Sequence, residues 1–596
     1  MRKFEELDKR LASEVEADTL VRWGGVKKIY DETLEAHKDD KKFVFFDGPA
    51  TANGMPGIHH MMAKLLKDTV CKYKAMQGFR VVRKVGWDTH GLPVEVAVEK
   101  ELNFNGKGDI EKYGIKEFNQ KCRESVWKNE KAFSDLTVKM GQFIDLDNPY
   151  VTYDNNYIET EWWILKKFFD EGLFYEGHKI VPYCPRCGTG LASHEVAQGY
   201  KEVSVNTVYV PFKLKNEENT YFLVWTTTPW TLPSNFAIAV GEDMDYNLVE
   251  QDGKKFWCAA TRTAAYFKEA NVVDTCKGSE LVGLSYEPLF RLSDAYATSE
   301  ELEKRYKIYA ADFVSTEDGA GAVHIAPSFG EEDFQLGASI GLGLFDPLDT
   351  EGKFTDKVPM WKGLGAKEAD KSIIAHLKEQ GRVFKHETFV HSYPHCWRTD
   401  KPVLYYPLDS WFIRSTQARE EMMKLNDTIN WQPESTGTGR FGKWLENLND
   451  WNLSRSRYWG TPLPIWRTED GQEEICIGSI AELMQEIDKS IAAGFMTENP
   501  WPKHEVGNYS KENYDPAVID LHRPYVDNII LCSPSGKPMK RELDLIDVWF
   551  DSGAMPYAQN HYPFENQDAP RTADFISEGV DQTRGWFFTL HAIHTM

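Results

Sequence analysis

Apolar and polar positions near the start of the chain predict a strand–helix–strand unit. The apolar run 42–46 predicts a buried strand that leads into the polar loop DGPATANGMPG. A helical pattern follows over about 58–76, and a second strand over 80–85 ends in GWDTHGLP. The positions at core spacing on the helix are Leu65, Leu66, Val70 and Tyr73. This order predicts an α/β fold with a doubly wound parallel sheet, in which ligands lie beyond the carboxyl ends of the strands.

The same pattern returns far downstream. An apolar run at 545–549 leads into FDSGAMP, and another at 574–577 leads into EGVDQTRGW. Four strand ends therefore carry Gly, Asp, Glu, Gln or Trp, where a nucleotide and a small polar ligand would fit. Each loop alone is equally well explained by turn chemistry, since Gly and Asp are common turn residues. Four such loops, separated by a long insertion, favour a binding site.

Short β-rich runs between 198 and 388 predict a β-barrel-like domain inserted into the first fold. A smaller insertion is expected over 467–540, where TEDGQEEICIG and CSPSGKPMK predict hairpin loops. The predicted organisation is an N-terminal helical segment 1–41, the first half of a Rossmann-type catalytic domain 42–197, the large insertion 198–388, a return to the catalytic domain 389–466, the small insertion 467–540 and the second catalytic half 541–596.

Composition restricts the class of protein without identifying it. The chain has 596 residues, too many for one core, with 41% hydrophobic and 27% charged residues. It has no apolar run long enough for a membrane span, and its charged N-terminus is unlike a signal peptide. Nine cysteines with one close pair favour a reducing compartment, and we expect a cytoplasmic protein.

The net charge of −23 disfavours a nucleic-acid partner on average, because phosphate contacts need Lys and Arg. A local basic stripe still lies on the predicted helix, at Lys64, Lys67, Lys72 and Lys74. A solvated helix face is the simpler interpretation of this stripe, and a contact with a polyanion is the alternative.

Seven motifs together resemble a known family. GPATANGMPGIHHMMAK resembles the ATP-binding signature of class I aminoacyl-tRNA synthetases. The other six resemble isoleucyl-tRNA synthetases: GWDTHGLPVE, TTTPWTLPSN, YPHCWRTDKP, SRSRYWGTPLP, DVWFDSGAMP and EGVDQTRGWF. They are collinear and cover nearly the whole chain. The valyl and leucyl relatives characteristically read TTRP where this chain reads TTTPWTLP, so the resemblance favours isoleucine.

The resemblance implies an isoleucine–tRNA ligase that forms isoleucyl-adenylate from isoleucine and ATP with Mg²⁺ and transfers it to tRNA(Ile). A monomer without a membrane partner is implied as well. The usual His-x-Gly-His signature is replaced by Gly57-Ile58-His59-His60, which looks like the second, eukaryote-like type of the enzyme. Both His60 and His59 are candidates for stabilising charge on the ATP phosphates at the helix N-terminus. Which of them contacts phosphate stays open, and we expect His60 to matter more.

The resemblance also implies the residues of the activation pocket. Asp88 pairs with the substrate ammonium, which is a charge-assisted bond. The residues expected at the amino acid are Pro49, Asp88, Trp549, Trp586 and Gln582. Those expected at ATP or the adenylate are Gly48, Gly57, His60, Glu578, Gly579 and Asp581. The alternative for the two tryptophans is simple core packing.

A second, hydrolytic site is implied for the large insertion. Separating isoleucine from valine by one methylene is the standard case of a difference worth only about 1–3 kcal/mol. Editing of valyl-tRNA(Ile) in a second pocket supplies the remaining selectivity. The implied editing residues are Thr226, Thr227, Thr228, Thr231, His324 and Asp333, of which Asp333 binds the α-ammonium of the misattached amino acid. A run of threonines alone is also an ordinary strand ending.

Cysteine spacing suggests a zinc ion. Cys184 and Cys187 form a C-x-x-C knuckle, and Cys396 is placed to complete it. Thr399 occupies the position of a fourth cysteine, for which His395 or His391 is the alternative. A second zinc site of the family is expected to be lost, since RTED and CSPS retain a single cysteine.

The resemblance implies that the chain holds the N-terminal portion of such an enzyme. The KMSKS loop that clamps ATP and the anticodon-binding region would follow Met596. For the chain as it stands, we therefore expect very slow or undetectable isoleucine activation but measurable deacylation of valyl-tRNA. Two other functions remain open: a deacylase that only edits, and a non-catalytic remnant that binds tRNA.

Overall fold

The computed structural model describes residues 9–269 and 271–596, so the first eight residues of the predicted N-terminal segment lie outside it. The chain divides into two compact units. The first combines Met1–Tyr175 with Trp411–Met596, and the second is Glu176–Ser410. The second unit is wider at both ends than the predicted insertion 198–388.

Helices occur throughout the described residues. The α-helices are α1 Ala12–Trp23, α2 Val26–Ala36, α3 Ile58–Met76, α4 Leu92–Leu102, α5 Lys107–Tyr113, α6 Ile115–Ser125, α7 Glu130–Lys139, α8 Asn155–Asp170, α9 Ser193–Val196, α10 Thr263–Tyr266, α11 Gly278–Leu281, α12 Ser299–Lys304, α13 Glu331–Ile340, α14 Ala366–Glu379, α15 Arg419–Asn426, α16 Gly442–Glu446, α17 Ile480–Ala492, α18 Val548–Gly553, α19 Met555–Ala558 and α20 Trp586–Thr595. Within 9–269 and 271–596, none of the helices combines the length and the apolarity that crossing a bilayer requires.

Strands are concentrated in the second unit and in the small insertion. They are β1 Lys84–Trp87, β2 Asp145–Val151, β3 Phe174–Cys184, β4 Thr189–Gly190, β5 Tyr200–Lys213, β6 Thr220–Thr226, β7 Ala237–Val240, β8 Asp245–Gln251, β9 Lys254–Ala259, β10 Asn271–Lys277, β11 Lys307–Ala310, β12 Ala322–Ile325, β13 Lys385–Pro394, β14 Leu404–Ile413, β15 Trp451–Asn452, β16 Ser454–Arg455, β17 Ile465–Thr468, β18 Glu474–Cys476, β19 Ile530–Cys532, β20 Pro538–Arg541 and β21 Leu545–Ile546.

The first unit contains a parallel, Rossmann-like sheet. Strands β1 and β2 pair in parallel, and single parallel bridges extend the sheet. These bridges join Lys42 to Arg80, Ala50 to Trp87 and Phe45 to Phe575. The predicted strands at 42–46, 80–85 and 574–577 therefore lie side by side. Their carboxyl ends meet at one edge, as a doubly wound sheet requires.

The prediction for 545–549 is only partly right. Strand β21 ends at Ile546 and pairs antiparallel with β16, and α18 begins at Val548. The cause is Asp547, whose Oδ1 accepts a hydrogen bond from the backbone N–H of Trp549 at 3.2 Å. An aspartate in this position caps a helix N-terminus, so the strand stops where the helix starts.

Helix α3 has the predicted bounds, but the prediction of its buried face is wrong. Its buried positions are Lys67, Asp68, Cys71 and Ala75. Three of the four apolar residues expected in the core are instead exposed, at 54% for Leu65, 55% for Leu66 and 58% for Tyr73, and Val70 is half-buried. The inward face is selected by ion pairs: Asp68 bonds to the buried Arg83 at 2.7 Å, and Lys67 bonds to Asp47 at 2.6 Å.

The basic stripe on α3 is likewise not a solvated face. Lys67 is only 5% exposed, and Lys64 lies beside Gln142 at 3.3 Å. Lys72 donates to the carbonyl of Gly141 and pairs with Asp68. The simpler interpretation of the stripe is therefore wrong for Lys67, Lys64 and Lys72, because each has a partner within the protein.

The second unit is rich in β-structure. Its larger sheet has the order β10-β8-β9-β6-β5-β13, and a smaller sheet has the order β11-β7-β12. Buried side chains such as Phe212, Phe222 and Ile238 form the core that the two sheets share. The pairing of the six strands ends at β10 and β13, so the predicted barrel-like form is not confirmed. The inserted unit contains an open sheet of six hydrogen-bonded strands.

The region 467–540 contains both predicted hairpin loops. Strands β17 and β18 flank the first loop, and β19 and β20 flank the second. The four strands form one antiparallel sheet in the order β18-β17-β20-β19. Helix α17 packs its buried side chains Leu483 and Ile487 against this sheet.

Candidate functional site

The polar loops of the first unit meet at one edge of the parallel sheet. The backbone N–H of Asp88 donates to the carbonyl of Ala50 at 3.0 Å, so the loops after the first two strands run side by side. A Cβ atom added to Gly48 would lie 3.1 Å from Glu578 Oε1 and 3.2 Å from the ring of Trp586. The absence of a side chain at Gly48 thus lets the fourth loop approach the first.

Asp88 lies half-buried at this edge. Its Oδ2 accepts a hydrogen bond from Thr51 Oγ1 at 3.2 Å. The carboxylate is therefore oriented by the first loop while it belongs to the second. Pro49 is half-buried in the same first loop. This arrangement is suited to holding a cation beside an apolar wall.

The two predicted tryptophans lie close together but in different surroundings. Trp549 is half-buried, and its ring lies 2.9 Å from where a Cβ of Gly585 would be. Trp586 is only 3% exposed, and its Nε1 donates to the carbonyl of Ser552 at 2.9 Å. Most of the Trp586 side chain is therefore packed in the core. Only the ring edge beside Gly48 faces the binding loops.

The loop after the fourth strand holds the remaining predicted residues. Gln582 Oε1 accepts from the backbone N–H of Trp586 at 3.0 Å, and its Nε2 donates to Asp581 at 3.1 Å. Gly579 and Asp581 are exposed, whereas Glu578 is half-buried and forms an ion pair with Lys67. Burial raises the pKa of Glu578, and the charge of Lys67 opposes that shift.

The histidines of the rearranged signature begin helix α3. His60 Nδ1 accepts the backbone N–H of Gly57 at 3.0 Å and so caps the helix, which leaves Nε2 as its outward nitrogen. The His60 ring packs edge-on against Phe133, and its centroid is 3.9 Å from that of the exposed His59. Burial, then the neighbouring His59, lowers the pKa of His60, so it is a neutral donor at pH 7.

The threonines of the inserted unit form a hydrogen-bonded group after β6. Thr226 lies 3.3 Å from Thr228, and Thr228 lies 3.2 Å from Thr231, oxygen to oxygen. Thr231 Oγ1 is 2.9 Å from His324 Nε2 and also donates to the carbonyl of Thr228. Thr227 is half-buried beside them. A cluster of hydroxyls around one imidazole is suited to ordering a water molecule and a ribose.

His324 has a fixed tautomer. Asn235 Nδ2 donates to His324 Nδ1 at 2.8 Å, because Asn235 Oδ1 is occupied by the hydroxyl of Tyr286 at 2.7 Å. His324 therefore carries its proton on Nε2 and donates to Thr231. Burial lowers the pKa of His324 to about 3, so the ring is neutral.

Asp333 lies in the first turn of α13, within the same unit. Its Oδ2 accepts the backbone N–H of Ala326 at 2.8 Å, two residues beyond His324. Burial raises the pKa of Asp333 to about 7, and the Ala326 hydrogen bond partly offsets this. A half-buried carboxyl whose pKa is raised in this way gains from an incoming cation.

Three cysteines of the inserted unit form a cluster. The thiols of Cys184, Cys187 and Cys396 are buried, and their sulfur atoms lie within 4.8 Å of one another. Cys184 Sγ is 3.4 Å from Thr399 Oγ1. His395 is turned elsewhere, since its Nδ1 lies 3.0 Å from the carbonyl of Tyr393. Three thiols in this arrangement fit a tetrahedral zinc ion with Thr399 or water at the fourth position.

Comparison with known proteins identifies the family. The sequence profile described as tRNA synthetases class I (I, L, M and V) matches residues 18–596. The chain belongs to the class I tRNA synthetase family. That membership agrees with the resemblance carried by the seven motifs and with the Rossmann-like sheet of the first unit.

Curated relatives in this family share about half of the residues. Isoleucine--tRNA ligase of Porphyromonas gingivalis is 49% identical over 100% of this chain and 58% of the relative. The protein of the same name from Cytophaga hutchinsonii is 50% identical over 98% of this chain and 56% of its own length. That from Clostridium acetobutylicum is 48% identical over 98% of this chain and 53% of its own length. The chain thus spans little more than half the length of these relatives.

Among solved structures, a ternary complex of LeuRS, tRNA and LeuAMS from Agrobacterium radiobacter K84 covers 97% of this chain. The sequence identity is 16% and the TM-score is 0.39, so the two structures are only distantly similar.

Several site residues were not predicted from the sequence. Lys67 was interpreted as part of a solvated face, although it joins two of the binding loops. Asn235 and His90 lie inside motifs that were recognised, TTTPWTLPSN and GWDTHGLPVE, so their positions were a usable signal. Tyr286 had no local signal, because it reaches Asn235 from 51 residues away.

Proposed function

We propose that this chain carries the activation and editing sites of an isoleucine–tRNA ligase. The observation that supports this most directly is the meeting of Asp88, Glu578 and Trp586 at one sheet edge. They meet in a chain that is 49% identical, along its whole length, to a ligase of that name. Isoleucine, ATP with Mg²⁺ and tRNA(Ile) are the proposed substrates and partners.

In the proposed activation step, the carboxylate of isoleucine attacks the α-phosphate of ATP. Asp88 holds the substrate ammonium, and Thr51 orients its carboxylate. Pro49, Trp549 and the edge of Trp586 surround the aliphatic side chain. The adenylate lies along Gly48 and along the loop after the fourth strand. That loop contains Glu578, Gly579, Asp581 and Gln582. His60, or His59, donates to the phosphates beside the amides at the start of α3.

In the proposed editing step, the inserted unit hydrolyses valyl-tRNA(Ile). The barrel-like form of this domain and the bounds 198–388 are part of this proposal. Asp333 receives the α-ammonium of valine, whose charge favours the ionised carboxyl. Thr228 and Thr231 orient a water molecule toward the ester, and His324 holds Thr231 through its Nε2 proton. No ATP is needed for this reaction.

A zinc ion is proposed for the thiols of Cys184, Cys187 and Cys396. The ion would stabilise the fold of the inserted unit by joining the Cys184–Cys187 turn to Cys396. It takes no part in either proposed reaction. Metal content measured after dialysis, in wild type and in Cys396→Ser, tests this assignment: zinc near one equivalent is expected to be lost in the variant.

A paired assay tests the proposed function. ATP–pyrophosphate exchange with isoleucine, compared with valine and leucine, reports activation. Deacylation of valyl-tRNA(Ile), compared with isoleucyl-tRNA(Ile), reports editing. We expect exchange to prefer isoleucine and deacylation to prefer valine. Deacylation without exchange would support an editing-only deacylase. Binding of tRNA without either reaction would support a non-catalytic tRNA-binding protein.

A further inference from the structure

The motif SRSRYWGTPLP takes no part in the proposed activation and editing steps, but its central residue, Trp459, contacts the loop that carries Asp88. The side chain of Trp459 is fully buried. Its indole Nε1 donates a hydrogen bond to the backbone carbonyl of Thr89 at 2.7 Å. Its own carbonyl accepts the backbone N–H of Gly91 at 3.0 Å. One residue therefore holds the main chain on both sides of His90, directly after Asp88.

The hydrogen bonds around Thr89 fix two successive peptide planes. The backbone N–H of Thr89 donates to Thr152 Oγ1 at 3.0 Å, which fixes the plane between Asp88 and Thr89. The bond from Trp459 fixes the plane that follows. The direction of that bond is unambiguous, because an indole N–H only donates and a carbonyl only accepts. The backbone N–H of Asp88 donates to the carbonyl of Ala50 at 3.0 Å, so the main chain beneath the carboxylate is held at three points.

Trp459 is itself held in one orientation by helix α4. Its backbone N–H donates to Glu95 Oε1 at 2.5 Å, and that of Tyr458 donates to the same oxygen at 2.9 Å. Glu95 is fully buried and also accepts from Arg457 Nε. The indole ring stacks on the ring of His522, with the centroids 4.6 Å apart and the planes 11° apart. Because α4 begins directly after the loop that Trp459 holds, Glu95 connects this helix to the loop a second time, through Trp459.

Core packing explains an aromatic ring at position 459 but not the indole N–H. The ring fills space beside Val94 and Val98, and a phenyl ring is apolar enough to do the same. An N–H is needed to reach the carbonyl of Thr89, a residue that is 2% exposed. In so dry a place the carbonyl loses a hydrogen bond that water does not readily replace. Removal of the N–H therefore releases the peptide plane that follows Thr89, and Asp88 with it.

We propose that Trp459 is a positioning residue for amino-acid recognition. Through the carbonyl of Thr89 it keeps the carboxylate of Asp88 where the α-ammonium group of isoleucine binds. The carboxylate is then in place before the ligand arrives, and no free energy of binding is lost to ordering the loop. Trp459 acts on the affinity for the ammonium group and not on ATP, whose proposed phosphate contacts lie at the start of α3. This inference rests on the proposed role of Asp88 in binding isoleucine.

Replacement of Trp459 with Phe tests the proposal, because it keeps an aromatic ring and removes the N–H. Isothermal calorimetry of the 596-residue chain gives the Kd of isoleucine. In Trp459→Phe we expect this Kd to rise roughly tenfold, which is about 1.4 kcal/mol, while the Kd of ATP stays within about twofold of the wild-type value. An unchanged Kd of isoleucine would overturn the proposal.

Trp466→Phe is the matched control. Trp466 is also fully buried, and its Nε1 donates to the carbonyl of Ile529 at 3.0 Å, beside the sheet of the small insertion. The control therefore loses the same kind of hydrogen bond and a similar amount of packing, away from Asp88. It should bind isoleucine as tightly as wild type does. An equal rise of the Kd in Trp459→Phe and Trp466→Phe would show a general loss of packing and would refute the positioning role.

The desamino analogue of isoleucine separates the ammonium contact from the rest of the pocket. This analogue keeps the aliphatic side chain and the carboxylate, so its binding does not involve pairing with Asp88. Its Kd, measured by ligand-observed NMR, should be the same in wild type and in Trp459→Phe. A parallel loss of affinity for isoleucine and for the analogue would mean that Trp459 shapes the whole pocket, which contradicts a role through Asp88.

Amide hydrogen exchange reports on the loop without a ligand. Peptides that cover residues 86–92 should exchange faster in Trp459→Phe than in Trp466→Phe. Faster exchange with an unchanged Kd of isoleucine would mean that Trp459 holds the loop but that binding does not need it, and the proposal would be wrong. If wild type binds isoleucine no better than Asp88→Asn does, the proposed amino-acid site is wrong. The inference then falls with that site, whatever the exchange rates show.

A second variant keeps the test sharp if Trp459→Phe does not fold. Glu95→Gln leaves the indole intact, but one amide oxygen replaces two carboxylate oxygens. That oxygen serves either the backbone N–H groups of Tyr458 and Trp459 or the guanidinium of Arg457. The Kd of isoleucine should again rise, by less than in Trp459→Phe, with the Kd of ATP unchanged. A wild-type Kd of isoleucine in Glu95→Gln would count against the proposal.

Discussion

Replacing Lys67 with Met isolates the role of one buried charge. Lys67 is 5% exposed and contacts two acids, Asp47 at 2.6 Å and Glu578. Burial opposes its charge, but these two carboxylates raise the pKa of Lys67 above its ordinary value. Methionine keeps the length of the aliphatic stem, so the substitution removes the ammonium group and little packing.

The expected loss follows from what remains after the substitution. Asp47 is 6% exposed, and without Lys67 it loses its ion-pair partner and shares its surroundings with Glu578, while the charge of Lys64 still acts on both acids. Breaking a buried ion pair from one side costs about 3–5 kcal/mol, because the remaining charge stays desolvated. We expect the free energy of local opening at α3 to fall by about that amount. Isoleucine activation should fall with it, since Glu578 would be protonated or displaced.

Amide hydrogen exchange of peptides from α3 measures this free energy, which a single unfolding curve of a two-unit chain does not resolve. The control is Lys131→Met, which removes an exposed lysine paired with Asp135 at 2.7 Å. Exposed pairs of this kind contribute at most about 1 kcal/mol. Adding Glu578→Gln to Lys67→Met should restore part of the loss. Equal effects of Lys67→Met and Lys131→Met would refute the reasoning.

Three further outcomes are expected. Asp88→Ala should abolish isoleucine-dependent ATP–pyrophosphate exchange and leave circular dichroism unchanged, a loss of about 3–5 kcal/mol; near-normal exchange would contradict the assignment. His60→Ala should slow single-turnover adenylate formation more than His59→Ala, and the reverse order would give the phosphate contact to His59. Deacylation of valyl-tRNA should rise with pH through about 7, where Asp333 ionises, and the rise should be absent in Asp333→Asn.

The pH dependence of stability has its own sign at Asp333. Its pKa in the folded chain, about 7, lies above the ordinary aspartate value, so the protonated form is favoured by folding. The contribution is present at low pH and is lost as the pH rises through the folded value. As the pH rises toward 7, the deacylation activity therefore increases while the contribution of Asp333 to stability decreases. A bound ammonium group offsets this loss, because its charge stabilises the ionised carboxylate.

Local patterns along the chain were sufficient to predict helix α3, the two hairpins and the parallel strands of the first unit. The helix predicted at 58–76 is α3, and the hairpins around TEDGQEEICIG and CSPSGKPMK are present. The strand ends at 42–46 and 80–85 meet at one edge, since parallel strands must align their carboxyl ends. Such features depend on neighbours within a few residues, which is the range that periodicity and turn chemistry describe.

Burial in α3 was decided by the tertiary structure alone. Leu65 and Leu66 have the spacing of a core face, but the buried face holds Lys67, whose partners lie 20 and 511 residues away. The connection from Asp551 through His90 to His522 likewise joins positions 461 and 432 residues apart. A pattern along the chain records which side chains are apolar. It does not record which charges will find partners, and a paired charge can be buried where an apolar side chain stays exposed.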